Sequence, residues 1–174
     1  LLWRYNNTYS GLETPYGYTP IFPGAIADGK IYVYSNEHSP NSPQYKGYRA
    51  RCLNATTGEE IWTLLSWAGV GGFADEGWPV ADGVIAYLNT YDMKIYSIGK
   101  GPSKLIVDAS PKVSEFGKSV VVEGTVIDIS AGTKQDEQAA RFPDGVPAVS
   151  DESMSEWMEY VYMQKPCPEN AEGV

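Results

Sequence analysis

The sequence predicts an all-β fold, and three observations support this prediction. Its 174 residues include 13 Tyr, 5 Trp, 18 Gly and 12 Pro, a composition rich in both strand-forming aromatics and turn-forming residues. Residues 27–36 (ADGKIYVYSN) and 81–90 (ADGVIAYLNT) each place an Asp-Gly turn before an alternating strand. Residues 116–130 (FGKSVVVEGTVIDIS) add two further alternating strand pieces around a central glycine.

Composition and charge restrict the class of partner. Hydrophobic residues make up 43% of the chain, which is enough for a packed core. The chain carries 13 Lys plus Arg against 22 Asp plus Glu, and the formal net charge of −9 repels nucleic-acid phosphates. We therefore expect no nucleic-acid partner. The sequence has no apolar run of roughly 18 residues, so we also expect no membrane insertion within this chain.

The cysteines and two possible glycosylation sites bear on the compartment. Cys52 and Cys167 lie 115 positions apart without a CxxC spacing, which excludes a zinc ribbon or a disulfide scaffold. They are either two independent thiols or one long-range disulfide. Asn6 (Asn-Asn-Thr) and Asn54 (Asn-Ala-Thr) each match the N-glycosylation pattern. These two tripeptides favour an extracellular or cell-surface location.

The Asp-Gly strands belong to an internal repeat. They recur at a spacing of 54 residues, and a proline-containing approach precedes each one. The phrase LNATTGEEIW at 53–62 lies between them, and Trp3 stands in the first segment where Trp62 stands in this phrase. A period of this size is typical of radial or solenoidal repeats.

The phrase at 53–62 predicts the tip of a β-hairpin. Gly58 can adopt the positive φ that the turn needs, and the Asn54 side chain can cap the turn. Trp62 then buries a large apolar ring and packs one sheet onto the next. The alternative is that Trp62 stacks on carbohydrate.

The strands around this hairpin resemble the repeat of the pyrroloquinoline-quinone-type β-propellers. The segments ADGKIYVYS, YRARCLNATTG and EEIWTLLSW contain the small-residue strand, the Thr-Gly turn and the Trp that recur once per blade in that family. The resemblance implies that each blade's Trp packs over the neighbouring blade, and Trp3, Gly58 and Trp62 match the docking positions. Cys52 replaces the commoner small residue of the family.

The resemblance covers residues 1–100 and implies about two blades. The segment YDMKIYSIGKG resembles the inner hairpin of the following blade, without its Thr-Gly-Trp half. Because a propeller ring needs about four to eight blades, we expect the chain to be a fragment. Either the missing blades lie upstream in the parent protein, or the fragment forms an open sheet with exposed edges. The overall prediction is a partial β-propeller followed by a second module.

The second module resembles the opening strands of an immunoglobulin-like sandwich of archaeal and bacterial surface proteins. Residues 101–112 carry two prolines and predict a linker, and residues 113–174 predict a partial immunoglobulin-like β-sandwich. Residues 131–150 are polar and predict a long loop.

One amphipathic helix is predicted at about 151–164. Ser150 or Ser153 can cap it, and Lys165 with Pro166 ends it. The apolar face consists of residues at helical spacing, namely Met154, Trp157, Met158, Val161 and Tyr162. We expect this face to pack on the sandwich; the alternative is that it fills a groove on a partner.

The sequence predicts no catalytic, cofactor-binding or metal-binding site. His38 is the single histidine and lies in a Pro- and Ser-rich loop without triad or metal-ligand spacing. An alternative is that Glu37 and His38 share a site with Asp75 or Glu76 at one propeller face.

Two further patterns bear on ligand binding. Residues 69–73 (GVGGF) lack GxGxxG and a following Lys, so they predict a bend instead of a phosphate cradle. The acidic residues of the second half lack the spacing of a calcium loop and are interpreted as solvated charge; they are Asp136, Glu137, Asp144, Asp151 and Glu152.

Three functions from different classes follow. The first is a non-catalytic propeller scaffold in a secreted or cell-surface protein, with protein partners or surface glycans and no cofactor. The second is a quinone-dependent dehydrogenase whose catalytic blades lie outside this chain. The third is a carbohydrate-binding surface protein, indicated by aromatics in polar segments such as Tyr16, Tyr18, Trp67 and Trp78.

Overall fold

The computed structural model is mostly β, as predicted. It describes residues 1–6, 21–35, 47–68, 77–162 and 165–171. In these ranges, strands form three antiparallel sheets and helices are few and short. The chain divides into two units, which we call the first unit (residues 1–100 and 154–169) and the second unit (residues 101–153 and 170–174).

The first sheet is a four-stranded meander. Its strands are β1 (Ile21–Ala27), β2 (Lys30–Ser35), β3 (Arg49–Asn54) and β4 (Glu60–Leu65), and they pair in this order. The turn between β1 and β2 has φ of 50° at Asp28 and 67° at Gly29, the left-handed pair of a tight hairpin. The predicted Asp-Gly turn is therefore confirmed.

The second sheet repeats this hairpin start. It consists of β5 (Val80–Ala81), β6 (Val84–Asn89) and β7 (Lys94–Gly99), again paired in chain order. Asp82 and Gly83 have φ of 50° and 75°, so the second Asp-Gly turn adopts the same conformation as the first. The internal repeat in the sequence is thus a repeat in the backbone as well.

A stack of five aromatic rings runs from the first sheet to the second sheet. The ring centroids of Phe22 and Tyr34 lie 5.9 Å apart, and those of Tyr34 and Trp78 lie 5.3 Å apart. Trp78 lies 4.4 Å from Tyr87, and Tyr87 lies 5.6 Å from Tyr96. Neighbouring rings are inclined by 14° to 25°, close to parallel. We call these residues the ring stack, and they form much of the core of the first unit.

The predicted linker at 101–112 is wrong. Ser103–Ser110 forms strand β8, which pairs over its whole length with β9 (Val121–Asp128). Strand β10 (Val146–Pro147) completes the third sheet in the order β10-β9-β8. The two strand pieces expected around Gly124 are one continuous strand. The prolines bound β8 without interrupting it, and its run of branched residues favours an extended backbone.

The predicted loop at 131–150 is also wrong. It contains a 3-10 helix (Ala131–Lys134), helix α1 (Asp136–Arg141) and strand β10. Two acidic residues lie in the first turn of α1 and Arg141 lies in its last turn, an arrangement that complements the helix dipole. At six residues the helix is too short to show apolar periodicity, so the pattern did not reveal it. The expectation of a single helix fails for the same reason.

Helix α2 (Met154–Val161) follows a 3-10 turn at Asp151–Ser153, inside the predicted range. It packs on β4 of the first sheet, so the expectation that its apolar face packs on the sandwich is wrong. Ser155 Oγ accepts a hydrogen bond of 3.2 Å from the Thr63 backbone N–H, and Met158 packs against the core of the first unit. Apolar periodicity shows which face of a helix is buried, but not what covers it. No helix in the described ranges combines the length and hydropathy needed to cross a membrane.

Replacing the central ring of the stack should destabilise the first unit strongly. Trp78→Ala removes contacts with rings on both sides, and we expect a loss of about 3–5 kcal/mol in the free energy of unfolding by urea. Trp78→Phe keeps a ring and should lose less. Ile95→Ala, at a side chain that is 78% exposed, should change stability by less than about 0.5 kcal/mol. Equal effects of Trp78→Ala and Ile95→Ala would contradict the role of the stack.

Candidate functional site

Two of the three residues at predicted docking positions, Trp3 and Gly58, are in direct contact. A Cβ placed on Gly58 would lie 2.6 Å from Cδ2 of the Trp3 indole, so only glycine leaves room for the ring. The φ of Gly58 is +79°, the left-handed value that the sequence predicted for this turn. Trp3 Nε1 also donates a hydrogen bond of 3.0 Å to the Ala55 carbonyl. The indole thus lies on the β3–β4 turn and is held there by a polar contact.

Asn54 organises the same turn. Its Oδ1 accepts hydrogen bonds from the backbone N–H groups of Thr56 (2.8 Å) and Thr57 (3.1 Å), and its carbonyl accepts one from Gly58. The capping role predicted for Asn54 is confirmed. Asn6 lies exposed at the end of the first described segment. Glycosylation at Asn6 and Asn54 stays a prediction.

A second indole lies on a glycine in the same unit. A Cβ on Gly24 would lie 2.9 Å from Cδ2 of Trp78, and the Trp78 backbone N–H donates a 2.6 Å hydrogen bond to the Gly24 carbonyl. Gly24 lies at an irregularity of β1, between Pro23 and Ala25, where the register shifts. We call these two sites the indole–glycine contacts.

Trp62 is buried in the core of the first unit, as predicted. It lies on β4 opposite Cys52, and its ring centroid is 6.1 Å from that of Tyr32. The ring-to-ring path between the first and second sheets, however, runs through Trp78. Sequence reasoning missed this residue as a packing element. The available signal was the aromatic-Pro pair that precedes both Asp-Gly turns, Phe22-Pro23 and Trp78-Pro79.

A polar cluster around the buried Arg51 joins the N-terminal segment to the first sheet. Arg51 Nη1 donates a 3.0 Å hydrogen bond to Ser35 Oγ, and Arg51 Nε lies 3.6 Å from Glu60 Oε2. The Tyr5 hydroxyl donates to the same Glu60 oxygen. Burial, and then this hydrogen bond, raise the pKa of Tyr5 to about 12. The phenol is therefore a neutral donor at neutral pH, suited to positioning and not to proton abstraction.

The tyrosines of the ring stack are likewise kept neutral. Burial raises the pKa of Tyr87, whose hydroxyl lies 2.9 Å from Ser66 Oγ. Burial and a 2.8 Å hydrogen bond to Asp92 raise the pKa of Tyr96 to about 12. These hydroxyl groups serve the packing of the sheets.

A second buried ion pair attaches helix α2. Glu159 is 1% exposed, and its Oε1 accepts a 2.6 Å hydrogen bond from Arg49 Nη1 on β3. Its other oxygen forms an ion pair with Lys165. The two cationic partners balance the charge of the buried Glu159 carboxylate. Removing either partner would leave part of that negative charge unpaired.

Several candidate residues lie outside the described ranges. These are Glu37, His38, Asp75, Glu76, Tyr16, Tyr18 and the segment 69–73. Among the described residues, no group of three or more His, Cys, Asp or Glu side chains is placed to hold a metal ion. Asp136 and Glu137 lie in the first turn of α1, and Asp151 and Glu152 lie in the 3-10 turn before α2.

The two described aromatics proposed for sugar binding are packing residues. Trp67 and Trp78 are both buried. The Trp67 ring packs edge-on against Tyr48 at 5.8 Å and lies 5.9 Å from Tyr91, while Trp78 lies within the ring stack. Neither ring offers an open face to a sugar, so the assignment of these two residues to a carbohydrate site is wrong.

The two cysteines are free thiols in different environments. Cys52 is buried on β3 and Cys167 is exposed. Burial raises the pKa of the Cys52 thiol to about 11, so its reactive thiolate is scarce at neutral pH. The sequence left open whether the cysteines are two independent thiols or one long-range disulfide, and in the structure they are independent thiols.

Known proteins provide no assignment for this site. The chain matches no model of a known protein family, no curated protein and no solved structure. The propeller interpretation therefore depends on the sequence repeat and on the contacts described above.

Alanine substitutions at three glycines distinguish the effect of backbone strain from the effect of crowding against an indole. Gly29→Ala adds strain alone, since its φ is +67° and no atom lies within 4 Å of the new Cβ; we expect a loss of about 1 kcal/mol. Gly24→Ala adds crowding against Trp78 without a positive φ. Gly58→Ala adds both and should lose the most, about 2–4 kcal/mol by urea unfolding.

A double-mutant cycle isolates the Trp3 contribution. In a Trp3→Ala background, the loss caused by Gly58→Ala should shrink to that of Gly29→Ala, because only backbone strain remains. A loss that is the same in both backgrounds would show that Trp3 does not lie on this turn in solution.

Thiol reactivity provides a separate check of the fold. At about pH 8 the native chain should react with one equivalent of a disulfide reagent, at Cys167, and with a second only after unfolding. Cys167→Ser should abolish the native reaction, and Cys52→Ser should leave it unchanged. Rapid labelling of both thiols in the native chain would contradict the burial of Cys52.

Proposed function

We propose that this chain is part of a β-propeller and acts as a non-catalytic interaction scaffold in a secreted or cell-surface protein. The observation that carries the proposal is the Trp3 indole on the Gly58 turn of a four-stranded meander. Propeller blades are four-stranded antiparallel sheets repeated around an axis. In the family that the sequence resembles, the Trp of one blade packs over the next, and Trp3 has that relation to the first sheet.

The second sheet supports the same interpretation. It begins with the same Asp-Gly turn as the first sheet and is joined to it by the ring stack. In the described chain it has three strands, and its edge strand β7 carries Ile95 with 78% exposure. A further strand of the same blade, or a partner chain, would cover such an edge.

A scaffold role fits the use of the buried polar groups. Arg51 is paired with Ser35 and Glu60, and Glu159 is paired with Arg49 and Lys165. The tyrosine hydroxyls have raised pKa values, because burial favours the neutral phenol. The pairs of Arg51 connect strands of the first sheet and the pairs of Glu159 attach α2, which is a structural use of charge and not a catalytic one.

The proposal also covers the second unit and the cellular location of the protein. We assign the third sheet to an immunoglobulin-like module of a surface protein, because of its long antiparallel hairpin. The sequons at Asn6 and Asn54 and the net charge of −9 are compatible with an extracellular, soluble surface. The partners are proteins or surface glycans.

A cofactor-loading experiment tests the non-catalytic part of the proposal. After incubation with pyrroloquinoline quinone and Ca²⁺, the chain should elute from gel filtration without quinone absorbance. It should also not reduce an electron-acceptor dye in the presence of alcohols. Retention of one quinone per chain would overturn the proposal in favour of the dehydrogenase.

Photo-cross-linking tests the scaffold part. A photoreactive amino acid in place of Ile95 should give discrete cross-linked polypeptides or glycoconjugates in the surface fraction of the source organism. An excess of unlabelled chain should suppress them, because specific sites saturate. Cross-links that do not saturate, or that also form with urea-unfolded chain, would contradict an interaction scaffold.

A further inference from the structure

The third sheet has an uncovered apolar edge strand. Strand β8 pairs with β9 on one side and, in the described part of the chain, with no strand on the other. The side chains of Leu105, Ile106 and Val107 are 64%, 49% and 55% exposed. Long exposed edges of this kind are the usual template for adding another strand.

The backbone groups available at this edge follow from the register. The Ile129 N–H donates to the Pro102 carbonyl, at the position that continues the Ser103↔Asp128 pairing. Hydrogen-bonded pairs alternate along an antiparallel ladder. The backbone groups of every second residue from Pro102, including Ile106, therefore point towards β9. The backbone groups of the residues in between, which include Leu105 and Val107, point to the open edge.

The charges of β8 make the strand complementary to itself. In an antiparallel pair of two β8 strands centred on Ile106, Lys104 of one copy lies opposite Asp108 of the other, twice by symmetry. Leu105 then lies opposite Val107 in a hydrogen-bonded pair. Shifting the centre to residue 105 or 107 loses both charge pairs. Opposite charges across strands stabilise a pairing, whereas like charges destabilise it.

The side chains on the two faces agree with this register. Leu105, Val107 and Ala109 share one face of the hairpin with Val122 and Val126 of β9. The pairing would continue this apolar face across both copies, whereas the charged residues Lys104 and Asp108 share the opposite face. Asp108 is exposed and lies 3.9 Å from the likewise exposed Lys112, which leaves its carboxylate accessible.

We propose that two copies of the chain associate through β8, antiparallel about a two-fold axis at Ile106. A second copy is the occupant because the edge is its own complement in charge, in register and in hydrogen-bonding groups. The two-fold arrangement uses both β8 edges and joins two third sheets into one closed assembly. The proposal concerns the second unit and does not depend on the propeller interpretation of the first.

A charge-reversal experiment tests the register. By sedimentation velocity, the wild-type chain should form dimers of twice 19.1 kDa as its concentration is raised. Lys104→Glu and Asp108→Lys should each weaken dimerisation about tenfold or more, because both charge pairs become repulsive. An equimolar mixture of the two variants should dimerise again, since each glutamate or aspartate then faces a lysine. Lys118→Glu carries the same charge change outside the paired residues and should dimerise like the wild type.

A cross-linking experiment tests the two-fold centre independently. Ile106→Cys, in a Cys167→Ser background, should form a disulfide-linked dimer on mild oxidation. Residues opposite each other in a non-hydrogen-bonded pair have Cα atoms about 4.5 Å apart, within disulfide reach. Val107→Cys in the same background is the matched control, because Val107 faces Leu105 of the other copy and should cross-link poorly.

The contrary outcomes are distinct. A wild-type chain that stays monomeric at all accessible concentrations, or that grows beyond a dimer, overturns the proposal. A monomer whose β8 pairs with a strand of another protein also overturns the proposal. Dimers that are insensitive to both charge reversals, a mixture that fails to recover, or equal cross-linking at 106 and 107 would each reject the two-fold at Ile106.

Discussion

The ring stack is the interaction on which the first unit depends. Five nearly parallel rings connect β1 and β2 of the first sheet to β6 and β7 of the second sheet, with Trp78 in the middle. The stack requires Gly24, because any side chain there would enter the volume of the Trp78 indole. Burial of large rings supplies much of the apolar free energy of a small β unit. At the end of the stack formed by β6 and β7, the Tyr87 hydroxyl is hydrogen-bonded to Ser66 and the Tyr96 hydroxyl to Asp92.

A buried ion pair attaches helix α2 to the first sheet. Helix α2 follows the third sheet in sequence, yet it packs on β4 and places Glu159 against Arg49, which is 110 positions away. Ser155 of the helix satisfies a backbone N–H of β4. Edge β4 thus has intramolecular cover, whereas edge β8 of the third sheet presents exposed branched residues and pairs with no further strand among the described residues. The exposed edge of β8, together with its self-complementary charges, is the reason for assigning association of two copies to this strand.

The two indole–glycine contacts link the fold to the proposed function. Trp3 and Trp78 each press on a backbone segment that tolerates no Cβ, and one of the two glycines also needs a positive φ. In the proposed propeller, contacts of this kind would let the indole of one element approach the backbone of the next closely. Among the polar groups, the pair of Arg51 with Glu60 connects β3 to β4, and the pair of Glu159 with Arg49 attaches α2 to β3.

The sequence by itself determined the local features. The Asp-Gly turns, the left-handed Gly58 and the Asn54 cap were predictable, because each depends on steric or hydrogen-bonding preferences within a few residues. The burial of Trp62 and a helix within residues 151–164 were predictable from apolar residues and their spacing. Only the tertiary structure decided that β8 is a strand and not a linker, that α2 covers β4, and that Trp78 joins the sheets. Those outcomes depend on the pairing of surfaces distant in sequence, which is selected by shape, register and charge and leaves no local periodic signal.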